Sequence, residues 1–262
     1  MKLRVATYNI HRAIGLDRRF RPQRIVDLLA AHDPDIALLQ EVDDGVPRSR
    51  RLDLARELAD ALSFSHWAVG HNHVLRQGRY GNATLSRFPI RRERNIDLTI
   101  GRFRKRGCQH TTLELARGDG PTQSFEVFNL HLGLSAWERR RQTRLLAASP
   151  EITQLQPSVP CMVGGDFNDW RSQLRSFFVA GLGFRCATDR KGPEGQPRAM
   201  RTFPSFAPRG PLDRLYLRGP ITIHRVFRSR HRVAQVASDH LPVFADLEIQ
   251  DENRDSEASG IS

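Results

Sequence analysis

Asp166 and Asn168 stand two residues apart, directly behind Val163-Gly164-Gly165. The apolar run Val159 to Val163 predicts a buried strand. If strand geometry persists past the glycines, alternation puts Asp166 and Asn168 on one side and Phe167 on the other. The polar pair then sits at a strand's C-terminal end, where sheets flanked by helices commonly place their chemistry. A plainer alternative is a strand-to-helix turn, with Asn168 or Asp169 capping a helix near Arg171 to Ala180.

Other stretches repeat this layout. Lys2 to Ile10 alternates, with Leu3, Val5, Thr7 and Asn9 on one face, and ends in Asn9-Ile10-His11; an Asn there is a turn former or a polar group aimed into a site. The apolar run Ile36 to Leu39 ends in Gln40-Glu41. A carboxylate closing a buried strand is costly unless exposed or paired with a cation. Glu41 is therefore an exposed strand end or a metal ligand. Phe125 to His131 alternates and delivers His131 to another strand end. Pro211 to Leu217 reads as a strand with Asp213 near its start. Ser238-Asp239-His240 precedes a strand over Val243 to Leu247.

Polar groups at so many strand edges suggest convergence on one cleft. Carboxylates and amides without a Cys/His cluster suit hard cations, Mg²⁺ or Mn²⁺, rather than zinc. Histidines beside Asp residues suit proton transfer and stabilisation of developing negative charge. Together with a basic rim, they point to hydrolysis at phosphorus. The absence of G-x-S-x-G and of a P-loop argues against a serine hydrolase and a nucleotide-driven motor.

The elements that must position these groups follow from periodicity. Helices are expected over Pro22 to His32, over Arg48 to Leu62, and from the capping box Ser135-Ala136-Trp137-Glu138 to about Gln156. Strands are expected at Ala83 to Leu85, with Asn82 just before, and around Ile96 to Ile100, Cys108 to Ala116 and Phe125 to Leu132. His66, His71 and His73 flank short strands without ligand spacing. Arg48, Arg50 and Arg51 read as a solvated or phosphate-contacting face. The loop Arg102-Phe103-Arg104-Lys105-Arg106-Gly107 is densely basic with an aromatic inside, which suits phosphate contact or a solvated hairpin rim. Cys186 to Pro211 reads as a long loop, of the kind that is often functional. Nothing divides the chain, so we expect one domain over residues 1–249 and a polar tail over 250–262.

The 262 residues carry a net charge of +12, and all but three of the Lys and Arg residues are arginine. Such a surplus favours polyanionic partners, although base composition alone can enrich arginine. No apolar run approaches the ~20 residues that span a bilayer. Met1 to Val5 runs straight into a strand without a signal peptide. Cys108, Cys161 and Cys186 lack metal spacing and read as reduced thiols, which suggests a cytoplasmic protein. A monomer is expected.

Six motifs together resemble the endonuclease/exonuclease/phosphatase superfamily, in its order. They are Thr7-Tyr8-Asn9-Ile10-His11, Leu39-Gln40-Glu41-Val42, Gly81-Asn82-Ala83-Thr84-Leu85-Ser86, Asn129-Leu130-His131-Leu132, Gly164-Gly165-Asp166-Phe167-Asn168 and Ser238-Asp239-His240-Leu241-Pro242. Asn168-Asp169-Trp170-Arg171, Arg201-Thr202-Phe203-Pro204 and Leu212-Asp213-Arg214-Leu215-Tyr216 look like those of a bacterial subgroup. The resemblance implies an α+β, DNase I-like four-layer α/β/β/α sandwich of two packed mixed sheets. Glu41 then resembles the principal metal ligand, with Asn9 beside it and Asp239 as another metal-side carboxylate. Asp166 and Asn168 resemble the pair that aims the attacking water and touches metal or phosphate. His131 and His240 resemble the histidines flanking the scissile phosphate, with Asp213 orienting His240. His11 stands where abasic-site endonucleases carry Asp, and those enzymes lack a His at the place of His131. The match is thus nearer to DNase I, sphingomyelinases and related phosphodiesterases. Asn82 is the nearest candidate partner for His131. Substrate contact is expected from Arg104, Arg106, His11 and Asn82.

The function implied is Mg²⁺-dependent phosphodiester hydrolysis, with Mn²⁺ as a possible substitute and nucleic acid as the leading substrate. A phospholipid headgroup or another small phosphoester is the alternative. A binding module with a dead site is a third.

Overall fold

The first strand, β1 (Lys2–Asn9), is apolar on both faces: Leu3 and Val5 enter one core, Ala6 and Tyr8 another. A strand buried on both faces must be covered on both, and this dictates layers. The computed structural model of the chain describes residues 1–117 and 120–250. The expected tail lies outside them except for Gln250.

Strands β2 (Ile36–Asp44), β3 (His66–Val74), β4 (Arg79–Ser86) and β5 (Ile90–Asp97) follow in chain order. Next come β6 (Gly107–Arg117), β7 (Gly120–His131), β8 (Cys161–Asp166) and β9 (Arg185–Cys186). A short hairpin, β10 (Asp189–Lys191) and β11 (Pro197–Ala199), precedes β12 (Asp213–Arg218), β13 (Ile221–Arg228) and β14 (Val243–Ile249). One six-stranded sheet has the order β13-β14-β1-β2-β4-β3, and the other β5-β6-β7-β8-β12-β9. Both are mixed, because β1 pairs parallel to β2 and β7 parallel to β8, whereas the other pairings are antiparallel.

Three apolar cores separate four layers. Val5, Leu38, Val127, Met162 and Leu247 pack between the sheets. Outside the first sheet, α1 (Gln23–Ala30) and α2 (Leu54–Ala61) bury Ile25, Leu28, Leu54 and Leu58. Outside the second, α3 (Ala136–Ala148), α4 (Pro150–Thr153) and a π-helical turn at Phe177–Gly181 cover Phe128, Val163 and Phe167. The architecture is the α/β/β/α sandwich expected.

Local boundaries differ for physical reasons. The helix expected over 48–62 is confined to α2, because Arg50 and Arg51 take left-handed φ values of 57° and 59°. Asp53 then caps it by accepting from the Arg56 amide. Arg48, expected on a solvated face, forms a bidentate pair with the buried Asp43 at 2.8 and 2.7 Å. Helix α3 opens at its capping box but stops at Ala148, where Ser149 is extended ahead of Pro150. No full helix forms over 171–180; Asp169 caps a turn instead, taking the amides of Gln173 and Leu174. Asn82 lies within β4 rather than before it, and His66, His71 and His73 lie in β3. All three cysteines are unpaired. Among the described residues no helix is long and apolar enough to cross a membrane.

Candidate active site

Three neighbouring strands of the second sheet end in one row. His131 of β7 pairs in register with Asp166 of β8, and Asp166 pairs with Asp213 of β12. Register partners project from the same face, so one imidazole and two carboxylates stand side by side. Gly165 makes the row possible. Its φ is 137°, and a Cβ there would lie 2.0 Å from the Leu130 carbonyl oxygen.

The first sheet contributes across the gap. Asn9 ends β1 and donates Nδ2 to Asp166 Oδ2 at 3.1 Å. His240 lies just ahead of β14, presenting Nδ1 to Asp213 Oδ2 at 2.9 Å and Nε2 to Asp166 Oδ2 at 3.6 Å. His131 Nε2 is 3.5 Å from the same oxygen. One atom, Asp166 Oδ2, therefore faces Asn9 and both histidines, while Oδ1 accepts the Asn168 amide at 2.9 Å. Asn168 has a left-handed φ of 50° and ties its own Nδ2 to the Leu132 carbonyl. Its side chain holds the end of β7 in place.

Beneath this row the layer between the sheets turns from apolar to amide-rich. Gln40 Nε2 donates to Asn129 Oδ1 at 2.8 Å, and Asn129 Nδ2 donates to the Leu39 and Ala83 carbonyls. Asn82, expected to contact substrate or partner His131, is buried instead and gives Nδ2 to the Gly107 and Asn129 carbonyls. These buried amide hydrogen bonds tie the two sheets together in one register.

Glu41 is re-aimed by a bulge. The β2–β4 register shifts by one between Leu39 and Val42, so Gln40 and Glu41 together oppose Asn82. Glu41 takes a left-handed φ of 59°, a costly conformation for a residue with a Cβ, found typically at functional sites. Its Oε2 is buried without a hydrogen-bond partner and faces Arg12 Nε at 3.3 Å. Arg12 reaches it from an unusual turn: His11, Arg12 and Ala13 are all left-handed, with φ of 45°, 60° and 56°. Each such residue costs about 1–2 kcal/mol. Asn9 Oδ1 accepts the His11 amide, and His11 Nδ1 donates to the Ile14 carbonyl at 2.8 Å, which pins the turn. His11 thus shapes the rim beside Asn9.

Charge is divided sharply between the two histidines. Burial works against protonation of His240, but Asp213 and Asp166 overcome it and raise its pKa to about 10. Burial, then the nearby cations Arg106 and His240, keeps His131 well below the ordinary range and neutral. Asp166 is raised, chiefly by burial, with Asp213 adding to the effect and His240 opposing it.

Two donor sets invite a cation. The ligand atoms of Asp166, Asp213 and His240 lie within 4.8 Å of one another. There the His240 imidazolium already supplies the positive charge, and Asp213 Oδ2 is engaged by both His240 and the Thr202 hydroxyl. Glu41 presents a buried oxygen without a hydrogen-bond partner among the described residues, opposite the Arg12 guanidinium, and a carboxylate oxygen of this kind suits a hard cation. Asn9, expected beside Glu41, engages Oδ1 with the His11 amide and Nδ2 with Asp166. Asp239, the third ligand expected, is partly exposed and accepts from Ser238 Oγ at 3.3 Å.

Arg106 is almost fully buried, and Arg104 is exposed in the same basic loop. Thr202 and Arg12 had no role in the sequence reading, although the need for a cation opposite Glu41 follows from its place at a buried strand end. The Phe203 ring lies 5.0 Å from that of His240.

Residues 6–240 match the Endonuclease/Exonuclease/phosphatase family, and the chain belongs to it. Members of this family are phosphoester hydrolases that generally depend on a divalent metal. The chain is 29% identical to the uncharacterised protein YbhP of Escherichia coli K12 over 257 residues, covering 94% of this chain and 96% of YbhP. Among solved structures, an endonuclease/exonuclease/phosphatase from Beutenbergia cavernae superposes with a TM-score of 0.73 at 21% identity, covering 95% of this chain and 72% of that one. The mannosyl-6-phosphatase Bt3783 of Bacteroides thetaiotaomicron gives 0.71 at 20% identity, covering 94% and 99%. These likenesses establish the fold.

Proposed function

We propose that the chain is a Mg²⁺-dependent phosphodiesterase that hydrolyses nucleic acid by in-line attack of water at phosphorus, with Mn²⁺ able to substitute. The observation that carries this reading is the convergence of Asn9, His131 and His240 on Asp166 Oδ2, with Asp213 behind His240. A carboxylate held there can orient a water and take up its proton. His240, kept positive by Asp213 and Asp166, offers fixed charge to the non-bridging oxygens as negative charge develops. His131, kept neutral, donates a ring N–H toward the phosphate or the leaving oxygen. Asn168 orients the end of β7 and so the His131 ring. Glu41, with Asn9 and Asp239, would hold the divalent cation, which when bound supplies Lewis-acid polarisation of a phosphoryl oxygen.

The net charge of +12 supports a polyanionic substrate. Arg104 and Arg106, whose charges bear on His131, place part of that surplus at the site. Bt3783 is named for a sugar phosphate, so a small phosphoester is the second reading. The test is nicking of supercoiled plasmid by purified protein in Mg²⁺. We expect EDTA to abolish nicking and Asp166→Ala or His240→Ala to slow it on the order of 10²-fold or more with folding intact. No nicking by protein that still binds metal would remove nucleic acid and leave the small phosphoesters.

A further inference from the structure

Two segments leave the active-site row and meet again on the surface. The loop between β5 and β6 ends at Arg106, two residues before the Cys108–Leu130 pair of β6 and β7. On the other side of His131, α3 begins only five residues later, at Ala136. Phe103 of the loop and Trp137 of the helix approach with ring centroids 5.9 Å apart and planes tilted by 53°. Both rings are half exposed, at 52% and 51%. With Ile100, Arg141, Arg144 and Leu145 they line a groove of about 530 Å³. The Arg141 guanidinium stacks over the Trp137 ring at 4.7 Å.

The groove's electrostatics are one-sided. None of its lining residues is acidic. The loop adds exposed Arg102, Arg104 and Lys105. The only acid of α3, Glu138, is buried and bonded to Gln142. Half-exposed aromatic rings beside arginines that form no ion pair among the described residues have a matching occupant: π-faces joined by phosphates. We infer that this groove binds unpaired nucleotides of a single-stranded nucleic acid, stacking bases on Trp137 and Phe103 and setting phosphates against Arg141 and Arg144. Duplex DNA hides its base faces and cannot fill such a groove. A membrane surface would call for apolar tips that project, whereas these rings form the walls of a concavity rimmed by arginine. The inference rests on the nucleic-acid reading of the active site and adds that the strand is single where it leaves the site on this side.

The experiment measures binding rather than turnover, using the full chain with Mg²⁺ present. Three fluorescent probes are compared: a phosphorothioate oligothymidylate of about 12 nucleotides, the corresponding blunt duplex, and vesicles of phosphatidylcholine with phosphatidylglycerol. The single strand should bind about tenfold more tightly than the duplex. Trp137→Ala and Phe103→Ala should each weaken single-strand binding about tenfold, whereas Trp137→Phe should retain most of it. Since both side chains are surface-exposed, unchanged thermal melting serves as the folding control. Alanine variants that bind the single strand like the wild type overturn the groove, and so does Trp137-dependent binding of vesicles in place of the oligonucleotide. Plasmid nicking keeps the two claims separate. A wild type that nicks while its variants bind normally loses only the groove; one that neither nicks nor binds either oligonucleotide loses the nucleic-acid reading itself.

Discussion

His240 Nδ1 donates to Asp213 Oδ2 across 2.9 Å, and the Thr202 hydroxyl donates to the same oxygen. The pair joins the two sheets, since Asp213 starts β12 of one and His240 lies three residues before β14 of the other. It fixes the ring's direction, leaving Nε2–H for the side of Asp166. A histidine oriented and charged in this way is a standing electrostatic device rather than a group that must be recruited during turnover.

The first prediction follows from that charge. Burial alone would lower the pKa of His240, but Asp213 and Asp166 raise it from 6.5 to about 10. A raised folded-state pKa means that the folded chain holds the proton more tightly than the unfolded chain does. Its stabilising contribution is therefore complete below pH 6.5 and is lost as pH rises through about 10. Asp213→Asn keeps the shape but removes the charge, and the alkaline limb of the pH–rate profile should move down by about 1 pH unit or more. An NMR titration of the His240 ring should move with it. An alkaline limb that stays in place would mean that His240 is not the group being read.

The positions of these groups were legible in the sequence to the extent that they sit where a periodic pattern breaks. Asn9, Glu41, His131, Asp166 and Asp213 each interrupt or close an apolar or alternating strand. The pairings that give them their chemistry were not legible in the same way. Asn9 meets Asp166 across 157 residues of chain, and Arg12 reaches Glu41 only because three successive residues adopt left-handed backbone. The one-residue bulge at Gln40 and Glu41 leaves no local mark, because neither residue is glycine. Asn82 misled for a related reason. An amide beside a strand reads the same whether it faces a substrate or, as here, ties two sheets together.

The second prediction separates the two donor sets that invite a cation. If Glu41 holds it, Mg²⁺ or Mn²⁺ should raise the melting temperature of the wild type and EDTA should reverse the rise. At a hundredfold excess over Kd the stabilisation is about 2.7 kcal/mol. Glu41→Gln should lose most of this shift, read against the variant's own metal-free melting temperature because the substitution also removes the charge facing Arg12. Should Asp213→Asn erase the shift and Glu41→Gln preserve it, the cation belongs between Asp166, Asp213 and His240 instead.

The third prediction concerns the amide layer under the row. Asn129 lies two residues before His131 on β7, opposite Gly164 of β8. It accepts from Gln40 and donates to two carbonyls of the facing sheet. Leucine is close in size and apolar, but it would remove the bonds to the two carbonyls and one of the three acceptors of Gln40 Nε2. Each orphaned buried group costs about 1–3 kcal/mol, so Asn129→Leu should lower stability to urea by about 3 kcal/mol or more. Adding Gln40→Leu removes the donor that lost its Asn129 acceptor, and the double variant should be less destabilised than the sum of the two singles. Because the same layer sets the spacing of the sheets beneath Asp166, the single variant should also lose turnover at temperatures where it remains folded. A loss below about 1 kcal/mol, with additive singles, would show that apolar packing alone sets the register of the two sheets.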